Sequence, residues 1–133
     1  MAFKVVNGLR TIEFGTPGRS REILTDLVIN GNKRATATTA KEYVDEGEPV
    51  EHIGEELILL GNDEAVLGKI RVTEVQQCAF IDVPDRFALA EAEGDLNAED
   101  FRRSHLEYWK RVGEDVNDQT PIVCVYFDLV EKY

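Results

Sequence analysis

The stretch of residues 30–36 constrains the fold most, because a helical pattern ends there and a strand-like pattern begins. Residues 20–29 place apolar side chains at helical spacing, which predicts an amphipathic helix. Gly31 readily takes the left-handed backbone conformation that ends helices. Residues 35–39 are alanine and β-branched threonine, which favour a strand. The chain is therefore expected to pass from helix to strand within these few residues.

Lys33 and Thr36 lie three residues apart at this junction. An amine held beside a hydroxyl is a possible base and nucleophile, since lysine replaces histidine in some hydrolases. Residues three apart on a regular strand face opposite sides, so the two converge only if the chain bends or if Lys33 still lies in the turn. The alternative interpretation is an exposed lysine after a helix and an ordinary strand threonine.

Length and composition predict one soluble globular domain spanning residues 1–133, with 43% apolar and 31% charged residues. No apolar run approaches the roughly 20 residues of a membrane span, and the first ten residues lack the apolar centre of a secretory signal. Cys78 and Cys124 lie in apolar runs, so we expect reduced core thiols and a cytoplasmic location. His52 and His105 form no paired metal motif, and we expect no zinc and no cofactor.

The net charge of −11 argues against tight binding to long nucleic acid, because phosphate contacts dominate such affinity. The charge is uneven, since residues 1–41 carry seven basic and three acidic side chains, a balance of +4 against −15 for the remainder. A small anionic or polar ligand could be drawn to the basic part. The alternative is a solvated surface with unevenly distributed charge.

The remaining patterns predict a mixed chain without regular strand–helix–strand alternation. We expect strands at 11–15, 56–60, 65–75, 78–83 and 121–130, an acidic loop at 43–54 that carries Tyr43, a short helix after Pro84, and a helix that begins at Asn97 and ends at Gly113. The expected fold class is α+β, with a small, mostly antiparallel β-barrel and flanking helices. Such a barrel can hold a small ligand at its mouth.

Two further groups are candidates for chemistry. Glu91, Glu93 and Asp95 crowd a short segment, where neighbouring carboxylates raise one another's pKa and can produce a general acid or base. His105 lies on the apolar face of the last helix beside Phe101. The alternative interpretations are a solvated acidic helix end and a buried structural histidine.

Taken in order, these segments resemble the ASCH domain, a family of PUA-like barrels. The resemblance covers most of the chain and rests on Phe14-Gly15, the 31–36 stretch, Gly54-Glu55, Phe87-Ala88, the 91–95 segment, Phe101, His105, Trp109 and Phe127. Some small ASCH proteins with a similar G-x-K-x-x-T pattern deacetylate N4-acetylcytidine. The chain differs from them in being longer, in carrying Arg34 beside Lys33, and in having Phe101 where many longer members have tryptophan.

The resemblance implies a catalytic set in which Lys33 is the activating base, Thr36 the nucleophile and Glu91 the acid/base or orienting carboxylate. This role requires a partly neutral Lys33, which burial or the neighbouring Arg34 would favour. The candidate ligand-binding residues are Arg19, Arg34, Tyr43, Asp95 and His105. The first hypothesis is a metal-independent amidohydrolase acting on a modified pyrimidine nucleoside.

The second hypothesis is an RNA- or nucleotide-binding module, and ribonuclease activity in the same cleft is a third. In the second, Arg19, Arg21, Lys33 and Arg34 would contact phosphate and Tyr43 would stack on a base. The expected partner is thus a small nucleoside-like ligand or a short RNA segment, with no membrane partner. The sequence does not indicate an oligomeric state.

Overall fold

The computed structural model describes residues 4–133, and the first three residues of the segment considered for a secretory signal lie outside this range. The described part of the chain contains six strands and four helices, besides two short 3₁₀ turns. In chain order these are β1 (Val5–Val6), β2 (Leu9–Glu13), α1 (Arg19–Ile29), β3 (Ala35–Thr39), α2 (Ala40–Glu46), β4 (Glu56–Leu60), β5 (Val66–Ala79), α3 (Asp85–Glu91), α4 (Ala98–Arg111) and β6 (Pro121–Lys132).

The strands form one sheet in the order β1-β2-β4-β5-β6-β3, with β2 parallel to β4 and every other pair antiparallel. The prediction of a mixed α+β fold is confirmed. The barrel is not confirmed, because the sheet ends at β1 and β3 over the described residues. Thr11 of β2 and Thr38 of β3 instead line one cavity, so side chains and open space separate the two strands that a barrel would join.

Strand β6 divides two apolar cores, because its side chains alternate between the two faces of the sheet. Ile122 and Cys124 pack with α3 and α4 on one face. Val123 and Val125 pack with Phe14 and with α1 on the other. The alternation that predicted this strand from the sequence is therefore confirmed.

Helices α1 and α4 follow the sequence prediction. Helix α1 ends at Ile29, and Gly31 has a φ of 82°, the left-handed conformation expected there. Helix α4 begins after Asn97, whose side chain accepts a hydrogen bond from the Asp100 amide. No helix of residues 4–133 has the length and apolar character needed to cross a membrane.

Two predicted segments are wrong in detail. The expected acidic loop at 43–54 begins within helix α2, which is capped by Thr39 and buries none of its residues completely. Its polar sequence gave no apolar periodicity, which is why the helix was not predicted. The separate strands expected at 65–75 and 78–83 are one 14-residue strand, β5, whose pairing with β6 shifts register twice.

Candidate functional site

Lys33 is 1% exposed and lies in the turn between α1 and β3. Its amide donates to the Leu27 carbonyl, so the residue precedes the strand, which begins only at Ala35. Its Nζ donates to the Ala35 carbonyl at 2.9 Å, to the Glu91 carbonyl at 3.3 Å and to Glu93 Oε2 at 2.5 Å. All three hydrogens of the ammonium group therefore have acceptors inside the protein.

Glu91 ends helix α3 and is 2% exposed. Its Oε2 lies 4.0 Å from Lys33 Nζ. The next residue, Ala92, has a φ of 58°, which is uncommon for a residue with a side chain and turns the chain sharply. This turn lets the Glu91 carbonyl and the Glu93 carboxylate both face Lys33.

Burial raises the pKa of Glu91, and the charges of His105 and Lys33 only partly offset that effect. A buried carboxyl with a raised pKa is suited to hold and donate a proton near neutral pH. The carboxyl group predicted from the sequence as an acid or base therefore occupies an environment that suits this role.

His105 projects from α4 towards Glu91, with Nε2 3.2 Å from Glu91 Oε1. Oε1 is otherwise buried, and no hydrogen bond is assigned to it among residues 4–133. The ring stacks on Phe101, with centroids 4.0 Å apart, and meets Trp109 edge-on. Burial lowers the pKa of His105, but the adjacent Glu91 and the nearby Glu93 and Asp95 raise it by more.

Thr36 lies on β3 and is half-buried. It lines a cavity of about 440 Å³ whose walls include Phe14, Glu91 and His105, together with Glu93, Asp95, Ser104, Tyr108, Trp109 and Arg111. This volume is in the range of small-molecule sites. The threonine hydroxyl and the buried carboxyl thus border the same space.

A second cavity of about 320 Å³ meets the first at Phe14 and Thr36 and lies between β2 and β3. Five carboxylates line it: Glu13, Glu42, Glu46, Glu48 and Glu51. Burial and neighbouring carboxylates raise the pKa of Glu42. This side of Thr36 is therefore strongly acidic, in contrast to the basic surroundings that the charge distribution suggested.

The basic candidates of the sequence are bound to acceptors within the protein. Arg34 donates to the Phe127 carbonyl and pairs with Asp128, so its guanidinium does not flank the Lys33 amine. Arg19 is exposed and pairs with Glu22. Arg21 pairs with Glu13 and also donates to two backbone carbonyls.

Of the other ligand-binding candidates, Asp95 and His105 line the first cavity and Tyr43 lines the second. Tyr43 lies on α2 and donates to Glu51 at 2.6 Å. Asp95 accepts a hydrogen bond from Ser104 at 3.0 Å. The structure thus brings Lys33, Glu91, Asp95 and His105 together around one buried centre.

Glu91, Glu93 and His105 place potential metal-ligand atoms within 4.8 Å of one another. Carboxylate and imidazole groups bind several divalent metals. The Lys33 ammonium lies within 4.0 Å of both carboxylates and already balances part of their charge. A metal ion would have to displace this ammonium, and we assign none to the cluster.

Several site residues were not predicted individually. Glu93 was noted only as part of an acidic cluster, whereas it is the closest partner of Lys33. Tyr108 and Arg111 line the cavity from the last turns of α4. The helical spacing of Tyr108 and Trp109 indicated core positions, and nothing in the sequence showed that α4 would border a cavity.

The family model of the ASCH domain matches residues 10–131. No curated protein sequence matches the chain. Among solved structures, an ASCH domain from Lactobacillus crispatus has a TM-score of 0.78 and 23% identity, with coverage of 91% of this chain and 79% of that one. Protein EF3133 from Enterococcus faecalis has a TM-score of 0.78 and 26% identity, with coverage of 91% and 76%.

Proposed function

The chain belongs to the ASCH domain family, and from that premise we propose that its buried site hydrolyses the amide of an acylated pyrimidine nucleoside such as N4-acetylcytidine. The observation that carries the proposal is that Glu91 and Glu93, the carboxylates beside the buried Lys33 ammonium, line the same cavity as Thr36. Burying such charges is costly, and perturbed titratable groups in a cavity are typical of functional sites.

In the proposed reaction the Thr36 hydroxyl oxygen attacks the amide carbonyl and forms a carbon–oxygen bond, while Lys33 takes the hydroxyl proton. Lys33 must first become neutral, and Glu93, 2.5 Å away, is placed to hold the proton that Lys33 gives up. Exclusion of water by the bound substrate would favour that neutral pair. Lys33 is thus a catalytic base and Glu93 its proton acceptor.

Glu91 then gives a proton to the departing nitrogen as the carbon–nitrogen bond breaks, which releases the pyrimidine amine. Its raised pKa keeps this carboxyl protonated at higher pH than an exposed glutamate. Water hydrolyses the resulting threonine ester, and Thr36 recovers its proton. The net reaction consumes one amide and one water and yields an amine and a carboxylic acid.

The cavity supports a small neutral ligand over a polyanion. Phe14, Tyr108 and Trp109 offer aromatic surface to a base, and the polar lining is mainly carboxylate. The arginines near the amino-terminal side of the site are paired with acceptors of the protein itself. A nucleoside without phosphate fits this lining better than a nucleotide chain does.

The experiment is turnover of N4-acetylcytidine by the purified protein, followed by mass spectrometry, with Lys33→Ala alongside. We expect cytidine and acetate from the wild type and none from the variant. The matched control is Lys41→Ala, because Lys41 is an exposed lysine whose ammonium pairs with Asp45 on α2. Absence of product from folded wild-type protein would contradict this substrate.

A second candidate function is an RNA- or nucleotide-binding module. Ribonuclease activity in the same cleft would be a variant of this function. The observation that favours it is Arg111, which lines the first cavity beside Tyr108 and Trp109. A guanidinium next to aromatic rings suits a phosphate that follows a stacked base. Binding of a short RNA that weakens steeply with salt and depends on Arg111 would support this candidate, and a flat salt response would oppose it.

A further inference from the structure

The neighbours of the two ring nitrogens of His105 restrict which nitrogen can carry a proton. Nδ1 lies 3.2 Å from the Phe101 carbonyl oxygen and 4.0 Å from Asp95. Both are acceptors, so the neutral ring is expected to carry its hydrogen on Nδ1. Nε2, which faces Glu91, is then left with a lone pair unless a second proton is bound there.

The atom facing Nε2 has the complementary property. Glu91 Oε1 lies 3.2 Å away, is buried, and has no hydrogen-bond partner among the described residues. A proton between these two atoms would satisfy both, whether it sits on the carboxyl oxygen or on the ring. The geometry thus provides one place for one proton, shared by two groups.

The ring is also held in a fixed orientation. It stacks on Phe101 at a centroid distance of 4.0 Å and meets Trp109 at 5.4 Å with an interplanar angle of 62°. Ser104 Oγ lies 3.3 Å from Nδ1 and donates to Asp95, which keeps Asp95 beside the ring. Four neighbours thereby fix Nε2 towards Glu91.

We propose that His105 shares one proton with Glu91 and resupplies that proton to Glu91 during turnover, which makes His105 a positioning residue of the proposed hydrolase. The inference rests on the proposed function. When the carbon–nitrogen bond breaks, the shared proton passes from His105 Nε2 through Glu91 to the departing nitrogen. When water attacks the acyl group on Thr36, the proton lost by water returns through Glu91 to His105.

The balance of charge around the ring supports this role. The charged groups that act on the ring are Glu91 on α3 and Glu93 and Asp95 in the following segment. Lys33 lies on the other side of the two glutamates, and Tyr108 and Arg111 on α4 line the same cavity as the ring. The three carboxylates outnumber the two cations, and this balance favours a positively charged ring. The raised pKa of His105 agrees with that balance.

The first test follows the ring nitrogens of His105 by NMR across a pH titration, in the wild type and in Glu91→Gln. We expect that, at pH above the pKa of His105, the neutral ring carries its hydrogen on Nδ1. We also expect the pKa of His105 to fall when Glu91 is replaced. His52, which is exposed, serves as the internal reference, and His52→Gln identifies its signals. A neutral ring with its hydrogen on Nε2, or a pKa of His105 that is unchanged in Glu91→Gln, would overturn the proposal.

The second test compares the pH dependence of N4-acetylcytidine turnover in the wild type, His105→Gln and His52→Gln. Glutamine can bond to Glu91 but cannot relay a proton. We expect a fall in kcat of about 10²-fold with little change in KM for His105→Gln, with the pH profile altered on its alkaline side. The His52→Gln variant should match the wild type.

The outcomes separate the two claims. An active wild type with an unchanged His105→Gln profile would overturn the relay and leave the proposed function intact. An inactive wild type would contradict the proposed function, and the NMR titration would still decide whether His105 and Glu91 share a proton.

Discussion

At the residue scale, the ammonium group of Lys33 offsets the negative charge of the two carboxylates beside it. Its ammonium lies 2.5 Å from Glu93 and 4.0 Å from Glu91, and the lysine is almost fully buried. Removing one member of a buried ion pair leaves the other charge without a partner. Lys33 therefore contributes to stability as well as to the proposed chemistry.

We predict that Lys33→Ala lowers the free energy of unfolding by about 3–5 kcal/mol, since the Ala35 and Glu91 carbonyls and the Glu93 carboxylate lose their buried donor. The measurement is denaturant unfolding followed by circular dichroism. Lys41→Ala, which removes an exposed lysine, should leave the stability close to that of the wild type. Equal stability of Lys33→Ala and the wild type would contradict the burial of this ion pair.

The protonation of Glu91 and His105 makes stability depend on pH. Both groups have a pKa raised in the folded state, so their stabilising contribution is complete at pH below the unfolded-state pKa and is lost as pH rises through the folded-state pKa. We predict that the free energy of unfolding of the wild type declines as the pH rises above about 6.5, the ordinary pKa of histidine, where few other side chains titrate.

The Glu91→Gln variant provides the comparison for that decline. Glutamine does not ionise, and it removes the charge that raises the pKa of His105. Its free energy of unfolding should therefore vary less over the same pH range. A wild type whose stability rises with pH, or a variant with the same slope, would contradict the assignment of this proton.

The sequence predicted Lys33, Thr36 and Glu91 as candidate catalytic residues, but it did not identify Glu93 as the partner of Lys33. Glu93 reaches Lys33 only because Ala92 adopts a left-handed conformation. Alanine has no local preference for that conformation, and contacts of the folded chain impose it. Helix α3 ends at Glu91, so this left-handed residue follows the helix directly.

At the element scale, the turn from α1 to β3 determines where Lys33 lies. Gly31 has a φ of 82°, and open space surrounds the position of an added Cβ atom. The amides of Asn32 and Lys33 both donate to the Leu27 carbonyl, which closes the turn. This turn supplies the bend that a converging Lys33 and Thr36 would require.

We predict that Gly31→Ala destabilises the protein by about 1 kcal/mol, because alanine is strained at positive φ while no contact is lost. Gly31→Asn is the matched control, since asparagine tolerates this conformation better. Thermal unfolding of the two variants should rank asparagine above alanine. The reverse order would indicate that φ is not the constraint at this position.

The acidic cavity between β2 and β3 adds a prediction about substrates. Because five glutamates line the space on one side of Thr36, an acyl group that carries a negative charge should be disfavoured there. We predict that N4-succinylcytidine has a kcat/KM about tenfold below that of N4-butyrylcytidine, a neutral analogue of the same chain length. Parallel turnover assays measure the ratio, and a preference for the succinyl compound would contradict an effect of these glutamates on the acyl group.

The elements predicted best are those with strong periodicity, namely α1, α4 and β6. Helix α2 was missed because its seven residues carry no buried apolar face. Strand β5 was divided into two because polar side chains interrupt its apolar pattern in the part that extends beyond β4 and pairs with β6 alone. The spatial meeting of α3, α4 and β3 at one site depends on contacts far apart in sequence, which periodicity does not reveal.

At the scale of the whole molecule, the net charge of −11 opposes polyanionic partners. We predict that single-stranded RNA binds with a dissociation constant of about 10⁻⁶ M or weaker at physiological salt, by fluorescence anisotropy. Arg111→Ala should not change that value if binding is nonspecific. Tight binding that is lost in Arg111→Ala would favour the RNA-binding function over the hydrolase.

Turnover of N4-acetylcytidine by Thr36→Val shows whether Thr36 carries the acyl group during amide hydrolysis. Valine keeps the shape of threonine without the hydroxyl, and Thr73→Val is the control on an exposed strand position. We expect release of cytidine and acetate by the wild type and by Thr73→Val, and none by a folded Thr36→Val. Turnover by Thr36→Val at the wild-type rate would show that Thr36 does not carry the acyl group.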